Sequence, residues 1–230
     1  MLNCVRMFAA LLGFAVLQSP ACAERILFVG NSFMYGAGTA SVEHFRPDSV
    51  TDLNGEGIGG VPALFKAFTR EAGLDYEVSL ETSGGMNLDF HFEQKAKVIS
   101  GAWDHVILQG YSTLDPVDPG NGDKIVDYSA RLAQLFHEQN PQVDVRLVAT
   151  WSRADQTYPR TGHWFGKPID SMALDVRAAY DRAAANSPHI RAVIPVGEAW
   201  NRAIADGIAV RNPYLPGCNS ILLTPQLFNF

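Results

Sequence analysis

Basic clusters, pairable cysteines and metal-ligand spacings are all missing from this 230-residue chain. Lysine and arginine number 18 against 24 acids, for a net charge of −6, and they form no run. Phosphate backbones are gripped by clustered cations, so the composition argues against nucleic acid as a partner. Of three cysteines, Cys4 and Cys22 sit in a leader-like N-terminus, which leaves Cys218 alone. One thiol closes no internal disulfide, so this is not a cystine-stapled scaffold. There is no Gly-x-x-x-x-Gly-Lys-Ser/Thr to cradle phosphates, and Gly36-Ala37-Gly38-Thr39-Ala40 lacks the third glycine of a dinucleotide turn. His-Glu-x-x-His is absent and no His/Cys cluster has ligand spacing, so no metal or organic cofactor is expected.

What is present begins with a targeting pattern. Arg6 precedes the apolar run Met7 to Leu17, and Pro20-Ala21-Cys22-Ala23 offers the small-x-small step that signal peptidase cuts. Residues 1–23 therefore read as a signal peptide, and the protein as exported to a periplasm or beyond the cell. The competing reading is an N-terminal anchor, but the run is short for a bilayer span. No stable span is expected after cleavage.

The whole 230-residue chain is 47% hydrophobic and 18% charged, a globular composition with one substantial core. Ile26-Leu27-Phe28-Val29 is a fully apolar run that reads as a strand buried on both faces. A long polar loop, Tyr35 to Gly60, follows it. Val61, Leu64, Phe65 and Phe68 mark one face of a helix. Tyr76, Val78 and Leu80 alternate with polar residues, as in a half-exposed strand near a sheet edge. Further strands are expected at Val106 to Leu108, Val143 to Val148 and Ile190 to Val196. Helices are expected at Leu88 to Ile99, around Ile125 to Phe136, over Met172 to Ala185 and from Gly197 to about Ala205. Strand and helix alternate five times with no hairpin signal, which predicts an α/β fold with a mainly parallel five-stranded sheet in one domain.

In a parallel sheet all strand carboxyl ends share one rim, where open α/β sheets bind ligands. Ser32, Gly84-Gly85, Gln109, Trp151 and Gly197-Glu198 all follow strands. Asn31 or Ser32 serving only as a helix cap is the plain alternative for the first of these. The set suits acyl transfer: Ser32 as nucleophile, with the Ser32 N–H, a Gly84 or Gly85 N–H and the Gln109 amide as oxyanion donors.

Three blocks then resemble a known superfamily. Phe28-Val29-Gly30-Asn31-Ser32-Phe33 looks like the first block of the SGNH, or GDSL-like, hydrolases. Ser83-Gly84-Gly85-Met86-Asn87-Leu88 with His91 resembles their glycine block. Val106-Ile107-Leu108-Gln109-Gly110-Tyr111-Ser112 resembles the third block in a branch where Gln replaces Asn. The resemblance runs from about Arg25 to Ala205, so residues 24–206 are expected to form the SGNH-like domain. It implies a three-layer α/β/α, flavodoxin-like fold and hydrolysis of carboxylic esters, with Ser32 as nucleophile and Ser32, Gly85 and Gln109 as the oxyanion hole.

One block of the pattern is not found. The family's base lies in a late Asp-x-x-His segment, but the last Asp here is Asp206 and the last His is His189. The tail, residues 207–230, carries no His and reads as atypical, truncated or frameshifted. Of the histidines, only His44, His91 and His163 follow strands. His91 is expected to support the glycine loop, and His163 is the substitute base. Tyr111, Trp151 and Trp164 are candidate substrate-binding aromatics, with core or rim packing as the alternative. The expectation is an exported serine esterase acting on an acylated saccharide or small ester; the alternative is a catalytically silent ligand-binding protein or a truncated member.

Overall fold

The computed structural model describes residues 23–215, so the expected leader and Cys218 lie outside the described residues. Six parallel strands form one sheet in the order β2-β3-β1-β4-β5-β6. They are β1 (Glu24–Gly30), β2 (Thr51–Asp52), β3 (Tyr76–Thr82), β4 (His105–Leu108), β5 (Asp144–Ala149) and β6 (Ile190–Pro195). The long helices are α3 (Gly60–Glu71), α4 (Leu88–Ile99), α5 (Asp123–Gln139), α7 (Ser171–Asn186) and α8 (Val196–Ala205). Three single-turn helices, α1 (Ser32–Tyr35), α2 (Ala40–Glu43) and α6 (Ala154–Thr157), sit in the loops.

The sheet has one strand more than expected. The extra strand is β2, two residues inside the Tyr35–Gly60 stretch, which pairs with β3 through Thr51↔Ser79 and Asp52↔Leu80. Two residues show no hydrophobic period, so nothing in the pattern marks them. The Asp52 carboxylate then accepts the N–H groups of Asn54, Glu56 and Ile58, folding the glycine-rich stretch back on itself.

Alternation divides the core between the two faces. Leu27 and Val29 point into the larger cluster with Leu88, Ile99, Ile125, Leu132, Phe136, Met172 and Val176 from α4, α5 and α7. Ile26 and Phe28 point the other way, onto Val78, Leu80, Ile107, Met34 and, from α3, Phe65. The fully apolar run of β1 follows directly, because both of its faces are covered.

β3 corrects the sequence expectation. It lies next to the edge, but its alternating polar face is turned inward: Glu81 is 0% and Ser79 8% exposed. A polar period normally marks solvent, and here it marks a buried carboxylate with partners of its own.

The chain leaves β1 for β2 and β3 on one side and then crosses to β4, β5 and β6 on the other. The reversal falls between β1 and β4, and a doubly wound sheet opens a crevice at such a switch point. Gly110, which follows β4, has no room for a side chain: a Cβ there would lie 2.3 Å from Ile125 Cδ1 and 2.7 Å from Asn87 Oδ1. Its N–H donates to the hydroxyl of the fully buried Tyr180 at 2.9 Å. Burial raises the Tyr180 pKa, so the hydroxyl keeps its proton. Tyr180→Phe leaves the Gly110 N–H without an acceptor and should cost about 1–3 kcal/mol in urea denaturation; no loss would show that this contact does not hold the loop.

Candidate functional site

Of the two residues expected as a possible helix cap, Asn31 takes that role and Ser32 does not. Asn31 is the N-cap of α1, its Oδ1 accepting the Phe33 N–H at 3.2 Å. That leaves Ser32, the first helical residue, free of capping. Its side chain makes no hydrogen bond to any described residue. It lines a pocket of about 280 Å³ with Asn31, Gly84, Gly85, Tyr111, Ser112 and Arg153.

The loops around this pocket are tied to one another. Asn31 Nδ2 donates to Met86 O at 2.9 Å, in the loop after β3, and to Gly110 O at 3.1 Å, in the loop after β4. Asn87, the N-cap of α4, accepts the Tyr111 N–H at 2.8 Å and donates to Leu114 O at 2.9 Å. Arg153 follows β5 and donates from Nη1 to Ser112 Oγ at 3.0 Å. Two asparagines and one arginine thus fix four strand-end loops around Ser32.

Gln109 is brought to the rim but does not line the Ser32 pocket. Its Oε1 accepts the Asn31 N–H at 3.1 Å, and its Nε2 donates to Gly110 O. At 1% exposure it braces the turn before Ser32, and it lines the apolar groove beside Phe33 and Trp151. Gly85 and Tyr111 do line the pocket with Ser32.

The other expected residues are scattered. His163 lines a separate cavity with Asp118, Gly120, Asp175 and Arg182, packing its ring at 4.6 Å from Trp164. Trp164, expected on a binding wall, is instead a core residue: it is 0% exposed and its indole N–H is spent on Asp175 at 2.7 Å. Trp151 packs against Phe33 at 4.6 Å and faces an apolar groove of about 280 Å³ lined by Phe28, Phe33, Ile107, Val148 and Ile194. Phe33 lines both the groove and the Ser32 pocket. His91 is wholly buried against Glu81, beneath the glycine loop it was expected to support.

Sequence reasoning missed Arg153 and Tyr35, which also line the Ser32 pocket. The Arg153 side chain is 7% exposed and held by Asp155 through Nε at 3.0 Å and Nη2 at 2.6 Å. A lone arginine two residues beyond the expected strand-end Trp151 was the available signal; attention to aromatics passed over it. Burial first, then the carboxylates of Glu43 and Glu56, raise the Tyr35 pKa, so it stays a protonated donor. Among the described residues, the lining includes donors and a cation but no imidazole and no carboxylate.

No family model matches the chain, and no curated protein does so either. Solved structures do. TesA superposes with a TM-score of 0.52 at 15% identity, covering 89% of this chain and 90% of its own. A protein from Parabacteroides merdae named as a GDSL-like lipase gives 0.52 at 15%, covering 89% and 91%. LAE5, an alpha/beta hydrolase from the metagenome of Lake Arreo, Spain, gives 0.54 at 13%, covering 90% of each chain. At these identities the likeness is one of fold: the chain shares the α/β architecture of these structures, one of them named as a GDSL-like lipase. Asn31→Asp keeps the cap acceptor but loses both donors and sets a carboxylate against two carbonyls. It should cost about 2–4 kcal/mol in urea denaturation; a change within error would mean that Asn31 does not hold the rim.

Proposed function

We propose that this chain, built on the SGNH hydrolase fold, is an exported serine hydrolase of carboxylic esters, acting on an acylated saccharide or a small ester. One observation carries the reading: Ser32 sits unbonded at the switch-point crevice, in a pocket rich in donors. Ser32 Oγ bonds the acyl carbon as its proton departs. The resulting oxyanion lies against the N–H groups of Ser32 and Gly85, and its collapse expels the alcohol. Water then attacks the acyl-Ser32 ester and releases the acid. The acyl group rests on Phe33, with Trp151 and the apolar groove beyond it, and Tyr111 borders the alcohol side.

Arg153 and the Tyr35 hydroxyl bring positive potential to the place where negative charge develops. Gln109 contributes through the turn that it braces. His163 has no part in the reaction. The proton of Ser32 passes to solvent, since the described lining offers no acceptor for it. Oxyanion donors and binding alone are worth about 10³–10⁴ over the uncatalysed rate, so turnover is slow.

A second reading is a ligand-binding protein that keeps the pocket without chemistry, and the lining without imidazole or carboxylate favours it. Hydrolysis of p-nitrophenyl acetate separates the two. Wild-type protein should exceed Ser32→Ala by about tenfold or more, and added imidazole, after subtraction of its own protein-free hydrolysis, should accelerate the wild type alone by supplying the missing acceptor. His163→Ala should match the wild type. Equal rates for wild type and Ser32→Ala, with or without imidazole, would leave the binding reading.

A further inference from the structure

Next to the glycine loop lies a buried Glu–His pair that the chemistry above does not use. The side chains of Glu81 and His91 are both 0% exposed, and His91 Nδ1 bonds Glu81 Oε2. Glu81 Oε1 also takes Asn54 Nδ2 at 3.2 Å and Ser83 Oγ at 3.5 Å, with the Lys95 ammonium 4.0 Å away. Asn54 Nδ2 further donates to Thr82 O at 2.9 Å, and its Oδ1 accepts Lys95 Nζ at 2.8 Å. Burying ionisable groups is costly unless each is paired and hydrogen-bonded, so the fold holds this network against a gradient that favours apolar filling.

Its placement says what it holds. Glu81 is the penultimate residue of β3 and His91 lies in the first turn of α4, ten residues on. Everything between them is the turn that carries Gly84 and Gly85 to the Ser32 pocket. Gly85 has φ +70, a left-handed conformation that β-carbon-bearing residues rarely adopt, so its amide is aimed by the backbone path itself. A short loop is only as well placed as its two ends, and Glu81 and His91 join those ends directly.

His91 Nε2 is buried with no hydrogen-bond partner among the described residues, and His91 does not line the Ser32 pocket, so the geometry gives it no direct path to Ser32. This ring is held for one contact.

We propose that Glu81 and His91 form a clasp that fixes the Gly84–Gly85 loop, making them positioning residues for the amide donors of the site, an inference that rests on the reading of Ser32 as the attacking group. Glu81→Leu removes the acceptor at similar size, Glu81→Gln retains one, and His91→Gln breaks the contact from the other end should Glu81→Leu fail to fold. Amide exchange followed by mass spectrometry, at a fixed interval below each variant's Tm, reads the loop without requiring turnover. In Glu81→Leu or His91→Gln, the peptide spanning Ser83–Met86 should exchange about tenfold faster while β4 and α5 peptides stay unchanged, and Glu81→Gln should restore most of the protection. In hydrolysis kcat should fall about tenfold with KM nearly constant, as for a donor displaced only from the transition state. A lowered Tm with loop exchange as in the wild type would make the pair merely structural and overturn the clasp. Absent Ser32-dependent hydrolysis with the local exchange intact would remove the catalytic reading and leave a clasp on a binding loop.

Discussion

The side-chain amide of Asn31 is the contact on which the site depends. It caps α1 with its oxygen and reaches two neighbouring loops with its nitrogen, through Met86 O and Gly110 O. Its backbone N–H in turn meets Gln109 Oε1. Beyond the two that its carbonyl accepts from Met34 and Tyr35, four hydrogen bonds therefore converge on one residue at the point where the sheet reverses its direction of winding. Each is worth about 1 kcal/mol when made and more when a buried partner is stranded, so the group acts as a unit. Ser32 inherits its position from this knot and makes none of these bonds itself.

The pocket that results is rich in donors and poor in acceptors. Backbone amides, the Tyr35 hydroxyl and the Arg153 guanidinium all suit developing negative charge. Among the described lining residues nothing suits the removal of a proton. Stabilising an oxyanion and activating a nucleophile are separable contributions, and this rim supplies the first. The adjoining groove of Phe28, Ile107, Val148 and Ile194 adds an apolar wall beyond Phe33, in keeping with an acyl group beside a polar centre.

Much of the fold was legible because burial on both faces leaves an unmistakable run. Ile26 to Val29 and Val106 to Leu108 could be nothing but interior strands, and the α/β alternation followed. β2 was not legible, since two residues carry no period. The polar face of β3 misled because alternation reports polarity, and polarity is a guide to solvent only when no buried partner exists. His91 follows the glycine loop in sequence, but its partner Glu81 lies ten residues away on what read as an outward face. Gln109 showed the limit most clearly. Strand position brought it to the rim, while the direction of its amide was decided by the Asn31 N–H, a contact no spacing reveals. Arg153 carried little signal for the opposite reason: one charge after a strand is common, and its packing against Ser112 and Asp155 cannot be read from spacing.

In the proposed reaction Ser32 Oγ bonds a trigonal electrophile while the amides of Ser32 and Gly85 receive the oxygen that becomes negative. Phenylboronic acid tests this without relying on turnover, because boron turns tetrahedral when a serine oxygen attacks it. A crystal structure of the soaked protein should show boron bonded to Ser32 Oγ, with one boronate oxygen within hydrogen-bond distance of the Ser32 and Gly85 N–H groups. Boron bonded elsewhere, or a pocket that leaves Ser32 untouched at saturating boronate, would contradict it.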